Sequence, residues 1–418
     1  MTQHDDGFLA DFHSMSSIGA TPRGGVDRQA GTAADGRTRN WFRGLCEARG
    51  FEVRYDRIGN QFALLELVPG APYVAIGSHL DSQPLGGRFD GAYGVLAAAH
   101  AAARLAESIG EGEAKFNLAV VNWFNEEGCR FKPSMMGSSV FTGKLDLDAA
   151  LGTTDPRGIT VRDALTEIGT VGEAELELAA YLEIHIEQGR SLDDAGVTIG
   201  LVESTWGANK YEYTVHGEQS HTGATVIADR KDALFAAAAM VVAARDVADE
   251  FTDEEGMVIT SCGEFNVFPN SPVVVASRVE LLIDVRSSDP ERLAAADAEF
   301  RRRIAAIETR AGVEIERGAE HLWGVKEYDE QGMRIAAECA DELGLTHQVV
   351  RTLAGHDSTN LKDVVPTIML FIPSVDGITH NELEFSRDDD LLAGVGLLTQ
   401  LARRVVRGEL TASEVPAS

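Results

Sequence analysis

The stretch GSHLDSQPLGGRFDGAYGVLAA, residues 77–98, decides the fold of this chain. It begins at the end of the short apolar segment YVAIG (73–77), passes through a glycine-rich loop, and enters a helix of small residues near Asp90. A strand, a glycine-rich loop and a helix in that order are typical of an α/β sheet. Such sheets bind ligands beyond the carboxyl ends of their strands, where the polar residues of this stretch lie.

Three later apolar segments also lead into polar residues. FNLAVVNWF (116–124) is a continuous apolar run, which indicates a strand buried on both faces. YLEIHIE (181–187) and PTIMLFIP (366–373) predict two more short strands. Residues that are distant in the sequence are therefore expected to converge at one edge of a sheet.

Residues 206–322 follow a different pattern. YEYTVHG (211–217) alternates strictly between apolar and polar residues, and RVELLIDVRSS (278–288) is typical of a half-buried strand. Helical patterns follow these segments at 229–250 and 290–311. We predict a smaller α+β domain with a βαββαβ-like order and one exposed sheet face.

After residue 323 the α/β pattern returns. We therefore predict one α/β domain, a mixed sheet with helices on both faces, formed by residues 1–205 and 323–418. The smaller domain, 206–322, is inserted into it. We expect the last residues, TASEVPAS (411–418), to be frayed.

The composition excludes several classes of protein. The 418 residues carry a formal charge of -29, so we expect binding neither to nucleic acid nor to an anionic membrane. There is no run of about 18 apolar residues, and residues 1–17 lack the pattern of a secretory signal. A cytoplasmic protein is expected. The four cysteines form no CxxC pair, which argues against a zinc knuckle or a redox motif.

The acidic composition has two interpretations. Only 7 of the 37 basic residues are lysine, and abundant carboxylates with little lysine resemble the surfaces of proteins from salt-loving organisms. The alternative is an ordinary acidic enzyme from a GC-rich genome. Activity and folding that change between low and molar salt would favour the first interpretation.

Five side chains lie at the ends of apolar strands or in the loops between strand and helix. Histidine and carboxylate ligands together suit Zn²⁺, Mn²⁺, Co²⁺ or Ni²⁺. Asp81, two residues after the first of them, is placed to orient its imidazole. The candidate ligands are His79, Asp90, Glu127, His185 and His380.

Each of these residues also has an ordinary structural explanation. Asp90 could cap its helix, Glu126 and Glu127 could form a solvated turn, and a single histidine at a strand end is more often a hydrogen-bonded polar residue. The combined pattern favours a metal site. Two adjacent carboxylates directly after a buried strand are costly unless a cation or a shared proton compensates their charge.

Eight short strings together resemble one branch of a known family, the metal-dependent amidase/aminoacylase/carboxypeptidase (peptidase M20) family. That branch contains the N-carbamoyl-L-amino acid hydrolases, β-ureidopropionases and allantoate amidohydrolases, and the resemblance runs in order from about residue 20 to residue 405. The short loop GGRFDG and a histidine within HIEQG favour this branch over the peptidases. The strings are GSHLDSQPLGGRFDGAYGVLAA, NEEGCRF, HIEQG, SHTGA, FPNSPVVV, DVRSSD, AGHDS and GITHNELE.

The resemblance implies a centre of two divalent metal ions per subunit, with Zn²⁺ favoured. Asp90 would bridge the metals and Glu126 would be the general base. His79 and His380 would complete one side of the centre, and they would fall on different metals or share the first coordination shell with water. Glu127 and His185 would hold the other side. Two metals of this kind lower the pKa of a water and stabilise a developing oxyanion.

The resemblance also implies that the inserted domain recognises the substrate. His221 would donate to the reacting carbonyl, often across a dimer interface, which implies a homodimer formed through this domain. Asn270 and Arg286 would bind a substrate carboxylate, since an arginine fork pairs well with that group. Arg286 could instead pair with Asp284 or Asp289.

The implied reaction is hydrolysis of a linear C–N amide bond, most directly the ureido bond of an N-carbamoyl-L-amino acid. Allantoate or ureidoglycolate amidohydrolysis, and an aminoacylase or dipeptidase, are alternatives with similar machinery. A non-catalytic binding protein is an alternative of a different class. Gln188 and His356 are expected to line the pocket, although His356 and Asp357 could equally stabilise their loop.

The sequence departs from the family's usual pattern in a few places. Ser82-Gln83 replaces the commoner Thr-Val, Leu85 stands where a polar residue is frequent, and Ser358-Thr359 where small or apolar residues are usual. None of these positions is a candidate ligand. The departures therefore bear on the identity of the substrate more than on the mechanism.

Overall fold

The computed structural model of the protein describes residues 3–254, 256–352 and 354–410. It divides into two compact units, Met1–Glu203 with Tyr328–Ser418, and Ser204–Glu327. The expected fraying of residues 411–418 falls outside the described residues.

The strands are numbered in chain order. They are β1 (Glu52–Tyr55), β2 (Gln61–Leu65), β3 (Tyr73–His79), β4 (Asn117–Trp123), β5 (Leu178–Ile186), β6 (Ile199–Thr205), β7 (Gly207–His216), β8 (Ser220–His221), β9 (Val258–Phe268), β10 (Val274–Val275), β11 (Arg278–Ser287), β12 (Glu314–Trp323), β13 (His347–Thr352) and β14 (Thr367–Ile372).

The α-helices are numbered in the same way, and short 3-10 turns occur at Ile227–Asp229 and Val375–Gly377. The helices are α1 (Gln3–Ser16), α2 (Ala33–Glu47), α3 (Ala92–Ser108), α4 (Met136–Phe141), α5 (Leu147–Gly152), α6 (Val161–Ile168), α7 (Ser191–Ala195), α8 (Ala233–Glu250), α9 (Pro290–Ala311), α10 (Glu330–Glu342), α11 (Ser358–Leu361) and α12 (Asp388–Val406).

The first unit is built on one eight-stranded sheet in the order β1-β2-β4-β3-β5-β14-β6-β13. The four central strands β4, β3, β5 and β14 are parallel to one another. Strands β2 and β6 run antiparallel to their central neighbours β4 and β14. The prediction of a mixed α/β sheet is confirmed.

Side chains of the central strands enter cores on both faces of this sheet. Every residue of β4 is buried, as its continuous apolar run indicates. In β3, Val74 and Ile76 pack into the core that contains α3 and α12, whereas Ala75 packs on the other face with Trp123 of β4 and Leu361 of α11. Helices therefore cover both faces, as predicted.

Helix α3 begins directly after the glycine-rich loop and lies close against the sheet because its residues are small. A Cβ atom at Gly94 would lie 2.3 Å from the carbonyl oxygen of Ile184, so only glycine fits there. This close approach places Asp90 and Gly91, just before the helix, beside the ends of the central strands.

The second unit has a four-stranded antiparallel sheet in the order β12-β7-β11-β9. Alternate residues of β7 and β11, such as Tyr211 and Ile283, pack into a core with α8 and α9. The elements follow the βαββαβ-like order expected from the sequence. The unit spans Ser204–Glu327, compared with the predicted range 206–322, and its role in dimerisation or as a lid stays a prediction.

Among the described residues, no helix combines the length and the apolar character that crossing a membrane requires.

Candidate metal centre

Polar side chains from all four parallel strands meet at one edge of the first sheet. His79 is the last residue of β3, and Glu126 and Glu127 follow β4. His185 is the penultimate residue of β5, and His380 lies in the loop after β14. Because these strands are parallel neighbours, their carboxyl ends bring the residues together, as the sequence predicts.

The described residues contain two candidate ligand groups. The first consists of His79, Asp90 and His185, whose ligand atoms all lie within 4.8 Å of one another. Asp90 Oδ1 is 3.5 Å from His79 Nε2 and 3.1 Å from His185 Nε2. All three side chains are buried, with at most 5% of each exposed. We call these residues the inner group.

The main chain determines which nitrogen of each inner histidine carries the proton. His79 Nδ1 is 2.9 Å from the carbonyl oxygen of Asp81, and His185 Nδ1 is 2.9 Å from that of Ile186. A carbonyl oxygen can only accept a hydrogen bond, so each Nδ1 must donate. The lone pair of each ring is therefore on Nε2, which is the atom directed at Asp90.

The second group consists of Asp90, Glu127 and His380, again with ligand atoms within 4.8 Å. His380 Nε2 is 3.3 Å from Asp90 Oδ2 and 3.5 Å from Glu127 Oε2. The side chain of His380 is 48% exposed, whereas that of Glu127 is 4% exposed. We call these residues the outer group.

Asp90 belongs to both groups, with one carboxylate oxygen toward each. The structure therefore combines His79 with His185 and Glu127 with His380. This grouping contradicts the prediction that Glu127 and His185 hold one side together, whereas His79 and His380 lie on different sides, which was one of the expected alternatives. The reason is the strand order: β3 and β5 are neighbours in the sheet, so their histidines share one side of Asp90.

The backbone around Asp90 is fixed by residues that the sequence analysis did not single out. Glu384 Oε1 accepts hydrogen bonds from the backbone N–H groups of Phe89 and Asp90, both at 3.0 Å. Gly91 has a positive φ of 61°, and a Cβ atom there would lie 2.3 Å from the His79 ring. The signal for Glu384 was present, because it ends the string GITHNELE.

Asp81 connects the two strand ends, but in a different way from the one predicted. Its carbonyl oxygen orients His79, whereas its carboxylate lies farther away, 3.7 Å from Nδ1. The carboxylate instead accepts from the backbone N–H groups of Glu126 and Glu127, both at 3.3 Å. Asp81 therefore holds the turn that positions these two acids.

Glu126 is a buried acid beside the inner group, with Oε2 3.6 Å from His79 Nε2. Burial raises its pKa well above the usual value, and Asp357 and Glu127 act in the same direction against the opposing effect of His79. Burial and Asp90 similarly raise the pKa of Glu127 to about 7.

The chemistry of these donors fits divalent cations. The described ion pairs of Asp90, Glu126 and Glu127 all have histidine partners. Three buried or partly buried carboxylates without Lys or Arg in those pairs leave negative charge that a metal would compensate. Nitrogen and oxygen donors in this mixture suit Zn²⁺ and neighbouring first-row metals.

Gln188 and His356 both lie against the inner group. Gln188 Nε2 donates to Asp90 Oδ2 at 2.8 Å. The ring of His356 lies 4.6 Å from that of His185, and within the described residues its Nε2 is buried without a hydrogen-bond partner. The adjacent Asp357 accepts from Ser138 Oγ rather than from His356. Both predicted pocket residues are thus close to the ligands.

The second unit carries the other three predicted residues, which we describe within that unit alone. His221 is exposed, and its Nδ1 accepts from the backbone N–H groups of Gly223 and Ala224 at 3.0 and 3.1 Å. This arrangement leaves the proton on Nε2, as a hydrogen-bond donor requires. Asn270 is exposed between β9 and β10.

Arg286 is paired with a carboxylate on its own strand. Its Nε and Nη2 atoms lie 3.0 and 2.6 Å from Asp284 Oδ2. Of the alternatives for Arg286, the pair with Asp284 is therefore present in the structure. A substrate carboxylate at this guanidinium would share it with Asp284 or displace it.

Comparison with known proteins gives consistent results. Residues 75–404 match the family model described as peptidase family M20/M25/M40. An N-carbamoyl-L-amino-acid amidohydrolase from Rhizobium meliloti is 35% identical, covering 92% of this chain and 92% of its own length. An allantoate amidohydrolase from Bacillus subtilis is 31% identical, covering 93% of this chain and 94% of its own.

A solved structure agrees with these relatives. The crystal structure of an amidase of the hydantoinase/carbamoylase family from Burkholderia vietnamiensis superposes with a TM-score of 0.91 at 34% identity. The match covers 97% of this chain and 98% of that one. The similarity therefore extends over both compact units.

Proposed function

This chain belongs to peptidase family M20/M25/M40, and from that premise we propose that it hydrolyses the ureido C–N bond of an N-carbamoyl-L-amino acid. It is an amidohydrolase of the branch that acts on linear amides other than peptides. The proposed products are the free amino acid, ammonia and carbon dioxide. The observation that carries the proposal is the pair of ligand groups that share Asp90.

The inner and outer groups would each hold one divalent ion, with Asp90 common to both. The candidate ligand atoms of each group already lie within 4.8 Å of one another. In the metal-free chain the backbone N–H of Gly91 donates to His185 Nε2 at 2.9 Å, so a bound ion would take over that lone pair. When bound, such ions polarise a carbonyl and lower the pKa of water. Zn²⁺ is the metal we propose, with Mn²⁺, Co²⁺ and Ni²⁺ as alternatives.

Glu126 is the proposed general base. It is buried at the same edge and contacts His79 without belonging to either ligand group. In its ionised form it would take a proton from the attacking water and pass it to the leaving nitrogen. Asp81 fixes the backbone on which it stands. Proton transfer of this kind typically accelerates a reaction by about 10²–10⁴-fold.

The second unit is proposed to recognise the substrate. The proton on His221 Nε2 suits donation to the carbonyl oxygen as charge develops on it. Arg286 and Asn270 would bind the carboxylate of the amino acid and so position the ureido carbon. Gln188 and His356, beside the inner group, would line the rest of the pocket.

We also propose a homodimer formed through the second unit. Strand β9 is at the edge of its sheet and exposes Ile259, Phe265 and Phe268. Helix α8 of the same unit exposes Phe235 and Val242. Exposed apolar side chains beside an open strand edge are typical of an association surface. Sedimentation of a fully active monomer would contradict this proposal.

Allantoate is the second candidate substrate, because the allantoate amidohydrolase from Bacillus subtilis matches nearly the whole chain. Both reactions would use the same proposed metal ligands and the same proposed base. The substrates differ in the groups beside the reacting ureide, which the second unit and the pocket residues would contact.

One experiment tests the proposal as a whole. The chain is stripped of metal with a chelator, reloaded with Zn²⁺, Mn²⁺, Co²⁺ or Ni²⁺, and assayed for ammonia release from carbamoyl-amino acids and allantoate. Metal-dependent release from carbamoyl-amino acids supports the proposal. Faster ammonia release from allantoate than from carbamoyl-amino acids would identify allantoate as the preferred substrate. Amine release from acyl-amino acids, without ammonia release from either ureide, would contradict the proposed reaction.

A further inference from the structure

Gln83 contacts both carboxylate oxygens of Glu127. Its backbone N–H donates to Oε1 at 3.0 Å, and its side-chain Nε2 donates to Oε2 at 2.8 Å. Oε2 is also the oxygen that lies 3.5 Å from Nε2 of His380. One residue therefore controls the orientation of the carboxylate that the outer group contributes.

The backbone of Gln83 is fixed on both sides by the N-terminal segment. Before it, Ser82 Oγ accepts from the backbone N–H of Arg28 at 2.9 Å. After it, Gly86 and Val26 exchange two backbone hydrogen bonds, both at 3.0 Å. The backbone donor of Gln83 is therefore held in place by the fold, and its side chain extends toward Glu127 from a fixed position.

The two inner histidines do not depend on a side chain in this way. His79 and His185 are oriented by backbone carbonyl oxygens, which every residue type supplies. Glu127 is oriented by an amide that only Gln or Asn carries. A valine at position 83 would keep the backbone donor but would have none for Oε2.

We infer that Gln83 is a positioning residue that increases the affinity of the outer group for its metal, a role that rests on the metal centre proposed above. A carboxylate oxygen has two lone pairs, so donation to Oε2 leaves one for a cation. Without the amide, Glu127 gains rotamers that metal binding must then remove. Partners of this kind typically change metal affinity by about 10–100-fold.

The test is calorimetric titration of the metal-free full chain with Co²⁺ in the absence of substrate. The wild-type chain should bind two ions. Gln83→Met, which has a similar length and no donor, should bind one ion with wild-type affinity and the other about 10–100-fold more weakly.

Gln331→Met is the matched control, because the amide of Gln331 donates to the carbonyl oxygen of Glu409 at the surface. It should bind both ions like the wild-type chain. Activity of Gln83→Met should recover at saturating Co²⁺, since Gln83 acts through Glu127. Cooperative thermal unfolding of its metal-free form should show that the variant is folded.

Three results would overturn the inference. Two unchanged affinities would show that Gln83 does not affect the outer ion, and equal weakening of both would show a general structural effect. Activity that stays low at saturating Co²⁺ would show a role other than metal positioning. If the wild-type chain binds no Co²⁺, the proposed metal centre itself is wrong, so the two failures are distinguishable.

Discussion

The inner and outer ligand groups share Asp90 but differ in how the fold holds them. The inner histidines end adjacent strands, are buried, and donate to backbone carbonyl oxygens. The outer histidine, His380, lies in a loop with a positive φ of 51° and is half exposed. The comparison indicates a rigid inner site and a more accessible outer site. If each group holds a cation, as proposed, the inner cation should exchange more slowly than the outer one.

Replacement of the shared residue is expected to have the largest effect. Asp90→Asn removes the carboxylate on which both groups depend, while keeping its size and its position before α3. We expect activity to fall to the background rate. We also expect both metals to be lost, which elemental analysis of the purified protein measures. Asp297→Asn, on α9 in the second unit, is a control that leaves both groups intact. Retention of one tightly held metal in Asp90→Asn would show that the groups are independent.

Removal of the proposed base should affect chemistry without affecting either group. Glu126→Gln keeps the size of the side chain but cannot take a proton. We expect turnover to fall by about 10²–10⁴-fold with both metals retained. Full turnover in this variant with metals bound would exclude Glu126 as the base. Loss of the metals would instead assign Glu126 to the ligands.

The two histidines directly test the difference in rigidity. His185→Gln removes a buried ligand whose place water cannot easily take, so activity should stay low at every metal concentration. His380→Gln removes a half-exposed ligand that solvent can replace, so activity should recover as metal is raised. Activity titrated against added Zn²⁺ measures both. Equal recovery of the two variants would remove the distinction between inner and outer sites.

The smallest expected effect concerns stability of the metal-free chain. Asp90, Glu127 and Glu384 raise the pKa of His380 to about 9, against the opposing effect of burial. A histidine with a raised pKa in the folded state contributes stability below its unfolded value of about 6.5 and loses it as the pH rises through about 9. Urea unfolding between pH 6.5 and 9 should therefore show a decline that is smaller in His380→Gln.

The control for this pH effect is the metal-loaded chain. A bound metal requires the neutral imidazole, so the contribution of protonated His380 should disappear. An identical decline in the wild type and in His380→Gln would mean that other groups cause it.

Much of the fold could be predicted from periodicity alone. The apolar runs at 116–124 and 366–373 correspond to β4 and β14, and the predicted helix at 290–311 coincides with α9. Strands β6 and β13 were not predicted. They lie at one end of the sheet, where β13 is partly exposed and lacks a continuous apolar run. A central strand can be recognised in a sequence because burial on both of its faces requires a continuous apolar run.

The site was predictable to a similar extent. Four of the five candidate ligand positions follow from polar residues at or after the ends of apolar strands, and Asp90 follows from the start of a helix after a glycine-rich loop. All five come together in the structure. Glu384 and Gln83 were not identified, because their contacts are with residues 295 and 44 positions away in the sequence. The roles of His221, Asn270 and Arg286 stay predictions.

The sequence by itself determined which residue types stand at the strand ends, because local periodicity defines where each strand stops. Only the tertiary structure decided how those residues combine. Strand order placed His185 beside His79 rather than beside Glu127. Loop packing made the carbonyl oxygen of Asp81, instead of its carboxylate, the partner of His79. Pairing of this kind depends on which distant segments become neighbours, and no local pattern encodes that choice.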